Sequence, residues 1–125
     1  MKKHLFLSSL FALAIPAVAL AHAEIESSTP AEGATVSSVN TVTLNFEEAM
    51  IPATTTAQIV MTAMPSTANH DPMQIRNFTT AWSHGNKTMT MSLRNALRPG
   101  TYEVRWAGAG GDGHRMTGTV HFRVS

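Results

Sequence analysis

The chain contains no cysteine among its 125 residues. No disulfide can staple the fold and no thiolate can ligate a metal, so stability has to come from packing alone. A basic field is missing too. Nine Lys and Arg, less Lys2 and Lys3 of an N-terminal leader, leave seven against eight Asp and Glu, which argues against nucleic-acid binding. After the leader no apolar run approaches the roughly 20 residues of a membrane helix, so the mature protein is expected to be soluble and not membrane-embedded. There is no nucleophile beside a base and no glycine-rich phosphate loop opening a helix. Glu47 and Glu48 are neighbours, which puts them on opposite faces of a strand and denies them the role of a catalytic carboxylate pair. Internal repeats, low-complexity tracts and linkers are also absent.

What is present begins with export. Lys2, Lys3 and His4 precede the apolar run Leu5 to Ala14, and Ala19-Leu20-Ala21 is a small-x-small cleavage signal. Residues 1–21 are therefore expected to be a cleaved signal peptide, and residues 22–125 a single mature domain of 104 residues in the bacterial periplasm or exterior. Cleavage makes His22 the first residue. Its free α-amine and imidazole Nδ1 can chelate one ion in a six-membered ring, a bite suited to tetragonal Cu(II), which binds nitrogen sites tightly.

The mature segment alternates apolar and polar residues, with Gly, Pro, Asn and Ser punctuating every eight to fifteen positions. Val42, Leu44 and Phe46 form one stripe; Ala57, Ile59 and Met61 a second; Met89, Met91 and Leu93 a third; Tyr102, Val104 and Trp106 a fourth; Val120, Phe122 and Val124 a fifth. Ala23 to Ser27 is expected to add a first strand that places His22 at a sheet end. Pro99-Gly100-Thr101-Tyr102 reads as the corner before a sandwich strand, where a tyrosine hydroxyl bonds back to upstream backbone. An all-β, immunoglobulin-like Greek-key sandwich is the simplest architecture. Pro65 to Asn77 is the longest stretch without a strand pattern, and long loops of this kind often carry function.

Two further groups of residues can carry metal chemistry. Asp112 and His114 stand two apart in a glycine-rich segment, so in an extended backbone they would point the same way. With the two nitrogens of His22 they make a three-nitrogen, one-oxygen set fitting Cu(II); the alternative is an ordinary Asp-Gly hairpin turn with an exposed histidine. Around the long loop lie Met61, Met64, His70 and Met73. Thioethers are soft ligands that select Cu(I), and outside the cytoplasm they cannot be lost to disulfides as thiols are. Methionine is equally a core filler, which is the reading preferred for Met89 and Met91, while Met61 fits either role. His84 lies in a Ser-His-Gly-Asn turn and His121 on a polar strand face, so neither is a candidate ligand. Met50 could approach a site or cover the core.

These residues together carry a resemblance. Over the mature length the chain resembles the CopC and PcoC copper-resistance proteins of the bacterial periplasm, through His22-Ala23, Ser28-Thr29-Pro30-Ala31-Glu32-Gly33-Ala34, Leu44-Asn45-Phe46, Met61-Thr62-Ala63-Met64, His70 with Pro72-Met73, Pro99-Gly100-Thr101-Tyr102, and Asp112-x-His114 followed by Thr117-Gly118. The resemblance implies a non-enzymatic copper carrier. It would bind Cu(II) through His22, Asp112 and His114 and Cu(I) through Met61, Met64, His70 and Met73. It would hand copper to an inner-membrane copper importer or a periplasmic multicopper oxidase. Thr67 stands where the fullest methionine loops of that family carry another methionine, which implies a weaker Cu(I) site. Gly113 and Arg115 replace the more usual Thr and Pro, which implies a more mobile rim around Cu(II). Two rivals remain: a copper-dependent oxidative enzyme with a terminal-histidine site, as in polysaccharide monooxygenases, and a plain immunoglobulin-like adhesion module with incidental histidines. A carboxylate ligand at Asp112 would occupy coordination space that oxygen needs, which argues against the oxidative enzyme.

Overall fold

Alternation produces the predicted faces. The Thr41–Phe46 strand buries Val42, Leu44 and Phe46 and turns its threonines and Asn45 outward, as expected of a sheet with one face on a core. The computed structural model describes residues 25–65 and 71–125. In chain order the strands are β1 (Ile25–Thr29), β2 (Ala34–Val36), β3 (Thr41–Phe46), β4 (Thr56–Ala63), β5 (Met73–Ile75), β6 (Phe78–Ser83), β7 (Thr88–Leu93), β8 (Gly100–Ala109) and β9 (Arg115–Val124), with one 3-10 turn at Pro52–Thr54. Four strands form one sheet in the order β1-β3-β7-β6, and five form the other in the order β2-β9-β8-β4-β5. All pairs are antiparallel except β2 with β9. The result is an all-β sandwich with immunoglobulin-like, Greek-key connections.

All five predicted stripes become strands facing one core, with Leu44, Ile59, Met91, Tyr102 and Val104 fully buried. The tyrosine corner forms: Tyr102 Oη donates to the Arg98 carbonyl at 2.6 Å, and its ring stacks on Phe122 at 5.5 Å. In disulfide-bonded relatives of this architecture a cysteine stands two residues beyond that tyrosine. Val104 fills the position here and is wholly buried, so packing replaces the staple.

The structure adds what periodicity missed. β2 is three residues long and β5, Met73–Ile75, lies inside the stretch expected to lack strands; both are held by pairing with longer neighbours. β6 shows no alternation because it is an edge strand, exposed at Thr79, Thr80 and Ala81. The first strand runs Ile25–Thr29 rather than ending at Ser27. The leader, Ala23 and Glu24 lie outside the described residues.

Candidate metal centre

β8 and β9 run side by side along the sandwich and are joined at one end by residues 110–114. This connection is a tight turn rather than extended chain. Gly113 N–H donates to the Gly110 carbonyl at 2.9 Å, and Gly113 takes φ +87, a left-handed conformation natural to glycine. Asp112 and His114 therefore meet through turn geometry and not through the alternation of a strand. The Asp112 carboxylate accepts the His114 backbone N–H through Oδ1 at 2.9 Å and faces His114 Nδ1 through Oδ2 at 3.1 Å. With the ring proton on Nδ1, the nitrogen left open to a metal is Nε2. Both side chains are exposed, at 80% for His114 and 62% for Asp112. The two hydrogen bonds from His114, backbone first, hold the Asp112 carboxyl below the ordinary carboxylate range.

The turn is anchored from below. Met50 forms a bridge with Gly110, Gly111 N–H donates to the Ala49 carbonyl at 3.2 Å, and buried Met50 belongs to the core rather than to a ligand set. Glu48 is the residue that pattern reading missed here. A side chain at Gly110 would start 2.5 Å from Glu48 Oε1, so this carboxylate packs directly on the turn's first glycine. Its only signal in the sequence was its place just after the β3 stripe. The start of β1 lies at the same end: Ile25 pairs with Phe46, whose ring meets Trp106 edge-on at 5.0 Å. His22 itself lies outside the described residues. Among the described residues no three of His, Cys, Asp and Glu come together as a metal cage; Asp112 and His114 are a pair.

At the opposite end Met61 of β4 stands directly across from Met73 of β5. Met61, Met64 and Met73 line one cavity of about 420 Å³, with Tyr102, Asn77 and Arg98 on its walls. Their exposures differ sharply: Met61 is buried at 3%, Met64 is half-buried, and Met73 is open at 46%. Met61 is thus a core residue that also borders the cavity. His70 and Thr67 lie outside the described residues. Burial pushes the Tyr102 hydroxyl above its ordinary range, while its bond to the Arg98 carbonyl and the Arg98 charge pull the other way.

The other histidines are placed as expected. His84, at φ +53, sits in the β6–β7 turn. Exposed His121 grips Glu32 with its backbone N–H at 2.9 Å and faces it through Nδ1 at 3.1 Å, which fastens the β1–β2 connection to β9. No helix among the described residues is long and apolar enough to cross a membrane.

Comparison with known proteins converges on one family. The model of the CopC domain matches residues 25–125. The copper resistance protein C of Pseudomonas syringae pv. tomato is 38% identical over 120 residues, covering 93% of this chain and 92% of that protein. Its counterpart in Escherichia coli is 33% identical over 106 residues, covering 85% and 83%. The crystal structure of PcoC from Escherichia coli, described as a methionine-rich copper resistance protein, superimposes with a TM-score of 0.73 at 33% identity, over 84% of this chain and all of that one.

Proposed function

The chain belongs to the CopC family, and on that premise we propose that it is a periplasmic copper carrier without enzymatic activity, holding Cu(II) at one end of the sandwich and Cu(I) at the other. The observation that carries this is the Asp112–His114 pair, hydrogen-bonded, exposed and built on a hydrogen-bonded turn at the end of the sandwich where β1 begins. Two residues, Ala23 and Glu24, separate Ile25 from the mature terminus at His22, a reach of roughly 10 Å over three steps of extended chain. The His22 amine and imidazole, with His114 and Asp112, supply the tetragonal nitrogen-and-oxygen set that Cu(II) favours. At the far end Met61, Met64 and Met73, with His70, offer soft neutral ligands suited to Cu(I). The carrier takes copper as cargo and passes it to an inner-membrane copper importer or a periplasmic multicopper oxidase.

The decisive test for Cu(II) is a titration of the chain beginning at His22 beside one extended by a single residue. The extended chain is expected to bind far more weakly and to give an altered electron paramagnetic resonance spectrum. Equal affinity and an unchanged spectrum would remove the terminal amine from the site. For Cu(I), replacing Met64 and Met73 with Leu keeps the apolar volume and deletes the sulfur. Cu(I) affinity should fall while Cu(II) affinity is unchanged, and a Cu(I) competition titration in which variant and parent agree would make these methionines packing residues only.

A further inference from the structure

Charge is distributed unevenly along this chain. Between Glu48 and Glu103 the sequence holds one acidic residue, Asp71, against Arg76, Lys87, Arg94 and Arg98. Lys87 lies at the Cu(II) end, where its carbonyl receives the Phe46 N–H. The three arginines gather at the methionine end. Arg98 borders the methionine cavity, and Arg76 and Arg94 line an adjoining hollow of about 560 Å³. Asn77 belongs to both walls, and its carbonyl accepts the Arg94 N–H at 2.9 Å, tying the two segments together. All three arginines are exposed. Among the described residues none of them is in an ion pair, whereas Arg105 on the outer sheet face is paired with Glu103 at 2.9 Å.

Arg98 on the cavity wall and Arg76 and Arg94 on the adjoining hollow give this end of the molecule a rim of unpaired guanidinium groups, which works against a cargo that is a cation, because each positive charge weakens the hold on copper. Such a rim attracts something anionic. We propose that the methionine end is a docking surface for a copper acceptor whose own metal entry is ringed by carboxylates. Arg76, Arg94 and Arg98 steer the two proteins together, and docking neutralises the rim around the ion being passed. Copper crosses as Cu(I): thioether bonds to this chain break as the acceptor's ligand bonds form, and no electron moves. The acceptor is a protein rather than a lipid surface, because Met73 is the sole strongly exposed large apolar side chain among the described residues of this end, leaving no wedge for a bilayer; Ile51, the other, hydrogen-bonds to Ala109 at the far end. The direction of transfer rests on the Cu(I) assignment above, whereas the docking surface can be tested without copper.

The probes are two synthetic peptides sharing one Met- and His-containing Cu(I)-binding segment, flanked in one by glutamates and in the other by glutamines. The copper-free chain should bind the glutamate peptide at least about tenfold more tightly at low salt, in line with the usual scale of electrostatic steering. The preference should vanish at near-molar salt, where screening is nearly complete, and in the variant Arg76→Gln, Arg94→Gln, Arg98→Gln. The loaded chain should pass Cu(I) faster to the same peptide. Equal binding of the two peptides, or an unchanged preference in the triple variant, overturns the docking surface. Arginine-dependent sedimentation of the parent with phosphatidylglycerol vesicles at physiological salt overturns it in favour of lipid. A glutamate preference in binding without faster Cu(I) transfer upholds the docking surface and counts against the methionine cavity as the cargo site.

Discussion

Asp112 illustrates how much a single carboxylate can be asked to do. Its pKa is lowered by hydrogen bonds from His114, backbone first and ring second. A lowered folded-state pKa means that any stability this carboxylate contributes is present above the unfolded value and is lost as pH falls through the folded one. Between about pH 5 and 8 Asp112 is therefore ionised throughout, and acid release of Cu(II) in that window must come from nitrogen ligands. Imidazoles ordinarily titrate near 6.5 and α-amines at about 7.7 to 8.0, and both must be deprotonated to coordinate. Cu(II) affinity is expected to fall steadily from pH 8 to 5 in the parent and in Asp112→Asn alike, with the variant's curve lower throughout; an affinity that stays constant down to pH 5 in calorimetric titrations would take the nitrogen ligands out of the site. His114→Ala should weaken Cu(II) more than Asp112→Ala does, because it removes a nitrogen. Met61 and Met73 make the complementary contrast. Met61→Ala opens the core and should cost about 2–5 kcal/mol, whereas Met73→Ala, at a half-open position, should stay within about 0.5 kcal/mol. Urea melts of the two variants measure the difference.

The element that positions the methionine cavity is the corner leading into β8. Tyr102 is wholly buried, donates to the Arg98 carbonyl and stacks on Phe122. It thereby fixes the connection carrying Asn95, Leu97 and Arg98 against the cavity. Tyr102→Phe keeps the ring and deletes one hydrogen bond, a net loss of about 0.5–1.5 kcal/mol. For a domain of this size that is a fall in melting temperature of roughly 4–8 °C per kcal/mol. A thermal melt indistinguishable from the parent would show that the corner is held by packing alone. β5 stands at the other extreme. Its three residues owe their strand conformation to Ile59, Val60 and Met61 of β4, and without that ladder the segment has neither the length nor the alternation to declare itself. Edge strand β6 fails to alternate for a related reason: its middle is solvated on both faces, so no apolar stripe is required there.

At the scale of the whole molecule the two candidate copper ends are separated by most of the length of β8. Tyr102 borders the methionine cavity and Gly110 opens the Asp112–His114 turn, about 25 Å apart at the rise of an extended strand. Shared ligands are impossible over that span, so loading one end should leave the affinity of the other unchanged within experimental error. A Cu(II) titration of Cu(I)-loaded protein checks this, and a shift of more than a few-fold would reveal coupling through the sandwich. The fold itself is built from pairings distant in sequence, such as β2 with β9 and β1 with β3. Topologies of this kind fold in milliseconds to seconds, and stopped-flow refolding should find a rate in that range.

The all-β class, the five core stripes and the tyrosine corner could all be read from the sequence, because each rests on local rules: side chains alternate along a strand, and Pro-Gly before a tyrosine marks a sandwich corner. His22, Asp112, His114 and the methionines could be singled out for the same reason, as residue chemistry is visible without coordinates. Tertiary structure alone decided how the described residues among them are placed. Asp112 and His114 meet through a glycine turn with φ +87 rather than along a strand, Glu48 packs on Gly110 from a loop far away in sequence, and Met61 divides its surface between core and cavity. It also gathered three arginines from two separate connections around one end. Such arrangements depend on which strands pair and where their ends fall, and pairing between distant segments leaves no mark in the period of either one.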